Sequence, residues 1–151
     1  MSAVTVEQRL PLATLARRPF ATLVRLDQSI ELDPTLRELL KVRASQINGC
    51  AFCIDMHWTD ARAAGESEQR LYSLDAWRES SVYSERERAA LALCDAITLV
   101  STTHVPDDVW DAAEALFGPD ELAQLVFAVI AINAWNRLAI TSRTPPGSFR
   151  P

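Results

Sequence analysis

The residues with the most chemistry in this chain fall within eight positions, Cys50-Ala51-Phe52-Cys53-Ile54-Asp55-Met56-His57. Two thiols three apart, then a histidine four further on, use the two spacings that bring side chains to one face of a helix. At about 100° per residue the three occupy a stripe roughly 60° wide. Asn48-Gly49 just before them readily takes positive φ and ends one helix, which puts Cys50 in the first turn of the next. Unpaired backbone N–H groups and the helix dipole favour anions there, so a C-x-x-C thiol can fall from about 8.5 towards 7. Cys50 and Cys53 lie close enough to form a disulfide, and His57 can accept the proton of Cys53 or stabilise its anion. Such a histidine needs a group to orient it, usually a carboxylate.

Two blander readings compete with redox chemistry. A C-x-x-C is half of many zinc sites, and zinc takes four ligands in a tetrahedron. Cys50, Cys53 and His57 supply three, with His104, Cys94 or Glu38 as the fourth, but no second C-x-x-C or H-x-x-x-H is present. The pair could also serve only as small buried residues. Cys94, inside Leu91-Ala92-Leu93-Cys94, reads as an inert core thiol, and His104 falls in a turn without an assigned role.

The elements that must position the dithiol are all helical. Pro19 opens a helix to about Glu31, and Asp33-Pro34 caps and starts one that runs to Asn48-Gly49. On that helix Leu36, Leu39, Leu40 and Ile47 form one stripe. Arg43 shares the stripe and must snorkel or find a charged partner; Glu38, Val42 and Ser45 lie opposite. The dithiol helix spans Cys50 to Gly65, a C-cap glycine. Ser67 caps a short helix through Tyr72, which Leu74–Trp77 extends. Ser84-x-x-Glu87 has the form of a capping box for a helix to about Ser101. Pro106 opens a helix to Gly118 with Val109, Trp110, Ala113, Leu116 and Phe117 as its stripe. Pro119 opens the last, to about Thr141, apolar on all sides in its middle and so expected at the centre of the fold. Residues 1–10 read as a loose arm and 144–151 as an extended tail, with no period-2 segment and no internal repeat. Trp77, Trp110 and Trp135 are expected as core or interface anchors. Asn133, Asn136 and Arg137 interrupt an apolar helix and need partners, subunit contacts being the first expectation and substrate binding the second.

Bulk composition agrees with one globular domain over 1–151. The chain has 151 residues, 48% hydrophobic and 23% charged, and a formal net charge of −5. That charge gives no basis for a nucleic-acid partner. The first residues lack a basic start followed by an apolar run, and the longest apolar stretch, Leu125–Ile132, is far short of the roughly 20 residues of a membrane span. A cytoplasmic protein without membrane contact is expected. Three cysteines, an odd count, argue against a secreted disulfide framework.

The pattern Glu38, eleven residues, Cys50-x-x-Cys53, three residues, His57 resembles the active-site motif of AhpD-like alkylhydroperoxidases, of the carboxymuconolactone decarboxylase superfamily. Arg43-Ala44-Ser45-Gln46-Ile47-Asn48-Gly49-Cys50, Asp75-Ala76-Trp77-Arg78-Glu79 and Asn133-Ala134-Trp135-Asn136-Arg137 are similar too, so the likeness covers about Leu32 to the end. The resemblance implies an AhpD-like helical bundle, assembled as a homotrimer or homohexamer, with the dithiol in a small buried pocket. It implies a thiol-dependent hydroperoxide reductase. Cys53 would attack the hydroperoxide, Cys50, nearer the surface, would resolve the sulfenic acid, and His57 and Glu38 would relay protons. An external dithiol would be the reductant, and the residues present require no cofactor. The family's founding peroxidase has a histidine directly before its second cysteine, where this chain has Phe52. A decarboxylase of the superfamily and a non-enzymatic redox sensor or interaction module are the alternatives. Decarboxylation needs no dithiol, which weighs against the first.

Overall fold

The computed structural model describes residues 6–148; the parts of the expected arm and tail at 1–5 and 149–151 lie outside them. Among the described residues there is no strand, and the fold is all-α. The elements are α1 (Leu12–Leu15), α2 (Arg17–Gln28), α3 (Pro34–Asn48), α4 (Ala51–Ala63), α5 (Glu68–Tyr72), a 3₁₀ turn (Leu74–Ala76), α6 (Glu85–Thr98), α7 (Val100–Thr103), α8 (Asp107–Glu114) and α9 (Pro119–Ser142).

Local chemistry sets most of the boundaries. Asp33 caps α3 by accepting the Leu36 N–H at 2.9 Å, with Pro34 at the first helical position. Gly49 ends α3 in the left-handed region at φ 68°, a conformation that costs a residue with a Cβ about 1 kcal/mol or more. Ser84 and Glu87 form the full capping box that opens α6. Three boundaries differ from expectation. Pro19 is the third residue of α2 rather than its first, which is tolerated because first-turn N–H groups have no intrahelical acceptor, and α2 ends at Gln28, short of Glu31. The helix from Ser84 breaks at Leu99 and resumes as α7. Pro106 is the N-cap of α8, and that helix stops at Glu114. From Val6 to Leu10 the arm is irregular, yet the Arg9 N–H donates to the Ser142 carbonyl at 2.8 Å and ties it to the end of α9.

The centre of the fold is α3 rather than α9. Leu36 and the run Leu39–Ser45 are all buried, and the helix packs against α4, α6 and α9. Val42 and Ser45, on the side opposite the leucine stripe, are buried as well. The α9 helix has the length and apolarity of a membrane span, but it lies along α3 and α6. Its outer face stays uncovered, with Phe127 51% and Ile130 45% exposed. Trp110 and Leu116, expected on a core stripe, are each 39% exposed, while Ala113 and Phe117 are buried. Arg43 finds its charged partner in Asp95 of α6, donating at 2.7 and 3.2 Å, and reaches Asp75 at 2.7 Å. Arg78 at 2.7 Å and Trp77 Nε1 at 3.2 Å complete the shell of Asp95. This network fastens α3, the 3₁₀ turn and α6 on the side away from the dithiol.

Candidate active site

The left-handed turn at Gly49 swings the chain from α3 into α4, with Cys50 as the N-cap instead of a first-turn residue. Its Sγ accepts the Cys53 N–H at 3.4 Å, in the place an N-cap oxygen would take. Both thiols are 1% exposed, so Cys50 is not nearer the surface. Hydrogen bonding between the two thiols shifts their ionisation in opposite directions. That bond, against the opposing effect of burial, lowers the Cys50 thiol to about 7, helped by the Cys53 and Phe52 N–H groups and the Asn136 side chain. The Cys53 thiol is pushed up, first by hydrogen bonding to Cys50 and then by burial. The direction of the two shifts makes Cys50, the sulfur expected to resolve rather than attack, the first to lose its proton.

One turn beyond Cys53, buried His57 reaches across to α3, where its Nδ1 lies 3.0 Å from Glu38 Oε2. Burial raises the Glu38 carboxyl, but His57, Lys41 and Arg37 outweigh it and hold the group below its ordinary value. Lys41 stands one turn along α3, its Nζ 3.6 Å from Glu38 Oε1 and 3.4 Å from Asp27 Oδ2 of α2. Arg37 binds the same Asp27 oxygen at 3.0 Å. Asp60 of α4 is raised by burial and by the neighbouring Glu38. His57 and Glu38 thus meet at the α3–α4 packing, and Cys53 lines the same cavity as His57. Lys41 was missed.

Asn136, expected first at an interface and second at a substrate, lies instead against the dithiol. Fully buried, it lies within hydrogen-bonding reach of both thiols and donates to Ser45 Oγ at 2.9 Å. Asn48 Nδ2 donates to Asn136 Oδ1 at 2.8 Å and to Asn133 Oδ1 at 3.0 Å. Asn133 donates in turn to Thr98 Oγ1 at 3.0 Å, and Arg137 to Asn133 Oδ1 at 2.8 Å. The partners expected across a subunit interface lie within the chain. The network is a polar floor under the dithiol, joining α3, α6 and α9.

Above that floor is a cavity of about 570 Å³. Cys53, His57 and Lys41 line it at the reactive end; Phe20, Val24, Phe52, Met56, Trp135 and Leu138 make the apolar wall. Trp135 is thus a cavity residue, with the Phe20 ring set edge-on at 5.2 Å between centroids. Helix α2 and the arm from Gln8 form the outer wall. Cys53, not Cys50, faces this space. The volume suits a ligand of several carbon atoms, since small-molecule sites run about 300–1,000 Å³.

The zinc reading is not assembled. Among the described residues, the group of three possible donors with atoms within 4.8 Å of one another is Glu38, His57 and Asp60, without either thiol. The Lys41 ammonium already supplies the positive charge beside it.

A buried helical dithiol backed by a histidine–carboxylate pair defines a class of thiol-bearing all-α proteins. The model of the carboxymuconolactone decarboxylase family matches residues 18–96, and the chain belongs to that family, in its AhpD-like part. It is 48% identical over 109 residues to the uncharacterized protein YdfG of Bacillus subtilis, covering 72% of this chain and 74% of that one. A structure from Agrobacterium tumefaciens, a protein of unknown function proposed as the antioxidant defence protein AhpD, matches with TM-score 0.90 and 39% identity over 95% of this chain and 100% of its own. The alkylhydroperoxidase AhpD core of a peroxidase-related protein from Ralstonia eutropha shares the fold, with TM-score 0.76 and 21% identity over 89% and 75% of the two chains.

Proposed function

We propose that the chain is a thiol-dependent hydroperoxide reductase. The observation that carries this reading is the position of Cys53, which lines the cavity together with His57 while its N–H is bound to Cys50 Sγ. A proton shift inside the Cys50–Cys53 pair moves the thiolate to Cys53, which attacks the terminal oxygen of a hydroperoxide. The O–O bond breaks, Cys53 becomes a sulfenic acid, and the alkoxide leaves as an alcohol with a proton delivered through His57 and Glu38. Cys50 then attacks Cys53, forming the disulfide and releasing water. An external dithiol reduces the disulfide and is itself oxidised. No step calls on a cofactor. The apolar wall favours organic hydroperoxides over hydrogen peroxide, and Phe52 in place of a second histidine makes a slower enzyme with a single relay. The uncovered Phe127 and Ile130 face of α9 supports assembly as a homotrimer or homohexamer.

The test is peroxide consumption by pre-reduced protein with a dithiol recycler, wild type against Cys53→Ser, with peptide mapping of the oxidised form. Turnover lost in the variant, with a Cys50–Cys53 disulfide in the wild type, supports the reading. Consumption equal to that of free dithiol, with no such disulfide, rejects it. Activity surviving removal of both cysteines would favour a decarboxylase-type enzyme instead. Oxidation that alters assembly without peroxide turnover would favour a redox sensor.

A further inference from the structure

We propose that Lys41 is a positioning residue that fixes the charge state of the Glu38–His57 pair, so that His57 keeps its proton on Nδ1 and offers Nε2 as the base. The role of that pair in catalysis rests on the hydroperoxide reductase reading; the effect of Lys41 on the pair does not. A lysine 6% exposed is uncommon, because burying an ammonium is costly unless it is paired. Here the ammonium is placed by helix geometry, since Glu38 and Lys41 are one turn apart on α3. The two Glu38 oxygens are divided between partners: Oε1 faces Lys41 at 3.6 Å and Oε2 faces His57 Nδ1 at 3.0 Å. With Nδ1 bound to a carboxylate, Nε2 is the nitrogen left for proton transfer.

The charges around the pair define what Lys41 does. Asp27 reaches in from α2, Arg37 stands on α3, and Asp60 and Cys53 face the site from α4. From α9 come Trp135, Leu138 and Ser142, none of them charged. Arg37 is committed to Asp27, so Lys41 is the cation in direct contact with Glu38. Removing it leaves Glu38 and Asp60 crowding His57, and two unbalanced carboxylates stabilise the imidazolium. The variant without Lys41 then favours the charged imidazolium over the neutral base that the relay uses.

The chain has two histidines, so the test is an NMR titration of labelled His57 in reduced protein, with His104→Gln to assign the signals. In Lys41→Met the His57 pKa is expected to rise by about one unit, a tenfold gain in proton affinity. Lys41→Arg retains the charge and should stay within a few tenths of wild type. Lys41→Met/Asp27→Asn rebalances the contact with α2 and supplies a folded variant should the single change unfold the chain; it too should show the rise. A His57 titration unmoved in a folded Met variant overturns the proposal, as does a rise of equal size in Lys41→Arg. The acid limb of the peroxide-consumption profile should follow the same shift. A wild type without dithiol-dependent consumption sinks the reductase reading, while the His57 titration still decides the role of Lys41.

Discussion

The dithiol makes stability depend on pH in a way that can be worked out from the structure. Cys50 falls from an ordinary 9.0 to about 7 in the folded chain, so its contribution is absent well below 7 and grows as pH rises towards 9. Cys53 shifts upward, so it acts oppositely: above 9 the unfolded chain can ionise both thiols and the folded chain only one. Stability from the pair therefore climbs between about pH 7 and 9 and declines beyond. A tenfold change in proton affinity is worth about 1.4 kcal/mol. The fall of Cys50 from 9.0 to about 7, less the share lost to Cys53 near pH 9, therefore leaves a gain of about 2 kcal/mol between about pH 6 and 9. Urea unfolding of reduced wild type and of Cys50→Ala/Cys53→Ala, repeated at successive pH values, measures it, because the difference between the two cancels every other titrating group. The expected difference rises by about 2 kcal/mol across that window. A difference that stays flat or falls would refute a thiolate stabilised at the N-cap of α4.

Three further outcomes are expected. Asn136→Ala removes the bonds to Ser45 and Asn48 and the contact with both sulfurs, so urea unfolding should show a loss of about 2–3 kcal/mol and the midpoint of thiol alkylation should move above about 7; an unmoved midpoint would show that the amide does not stabilise the thiolate. Asp95→Leu strands Arg43 without a buried partner and should cost about 3–5 kcal/mol in thermal or urea unfolding, well above an exposed ion pair such as Arg86–Glu121. Gly49→Ala places a Cβ in open space but at φ 68°, so it should destabilise by about 1 kcal/mol and leave the alkylation midpoint unchanged.

Where one helix decided the answer, the sequence was enough. Asp33-Pro34, Asn48-Gly49 and Ser84-x-x-Glu87 act through bonds to neighbours three or four residues away, and each sits at the boundary it signals. Cys50, Cys53 and His57 share the buried face that their spacing required. What the sequence withheld depends on pairings across helices. The burial of Arg43 within central α3 is matched by Asp95, 52 positions away on α6. Glu38 was named only through a family likeness, because nothing local distinguishes it from a solvated glutamate. Trp135 packs against the core as expected and also walls the cavity, a second role that its spacing did not reveal.

Lys41 and Asn136 had a signal of another kind. Glu38, Lys41, Ser45 and Asn48 recur at spacings of three, four and three, which places them in a stripe about 80° wide at 100° per residue. On an amphipathic helix such a stripe would be the wet face. On α3 the run Leu39–Ser45 is buried on every side, so Lys41 and Ser45 of that stripe have no water to face. A polar stripe that runs through a buried stretch must then be matched by polar groups on whatever packs against it. The matches are His57 from α4 and Asn133 and Asn136 from the otherwise apolar α9. Two helices whose polar interruptions answer one another, with a dithiol turn between them, mark a site rather than a set of packing faults. In this chain the reading places Lys41 beside the relay and Asn136 beneath the sulfurs.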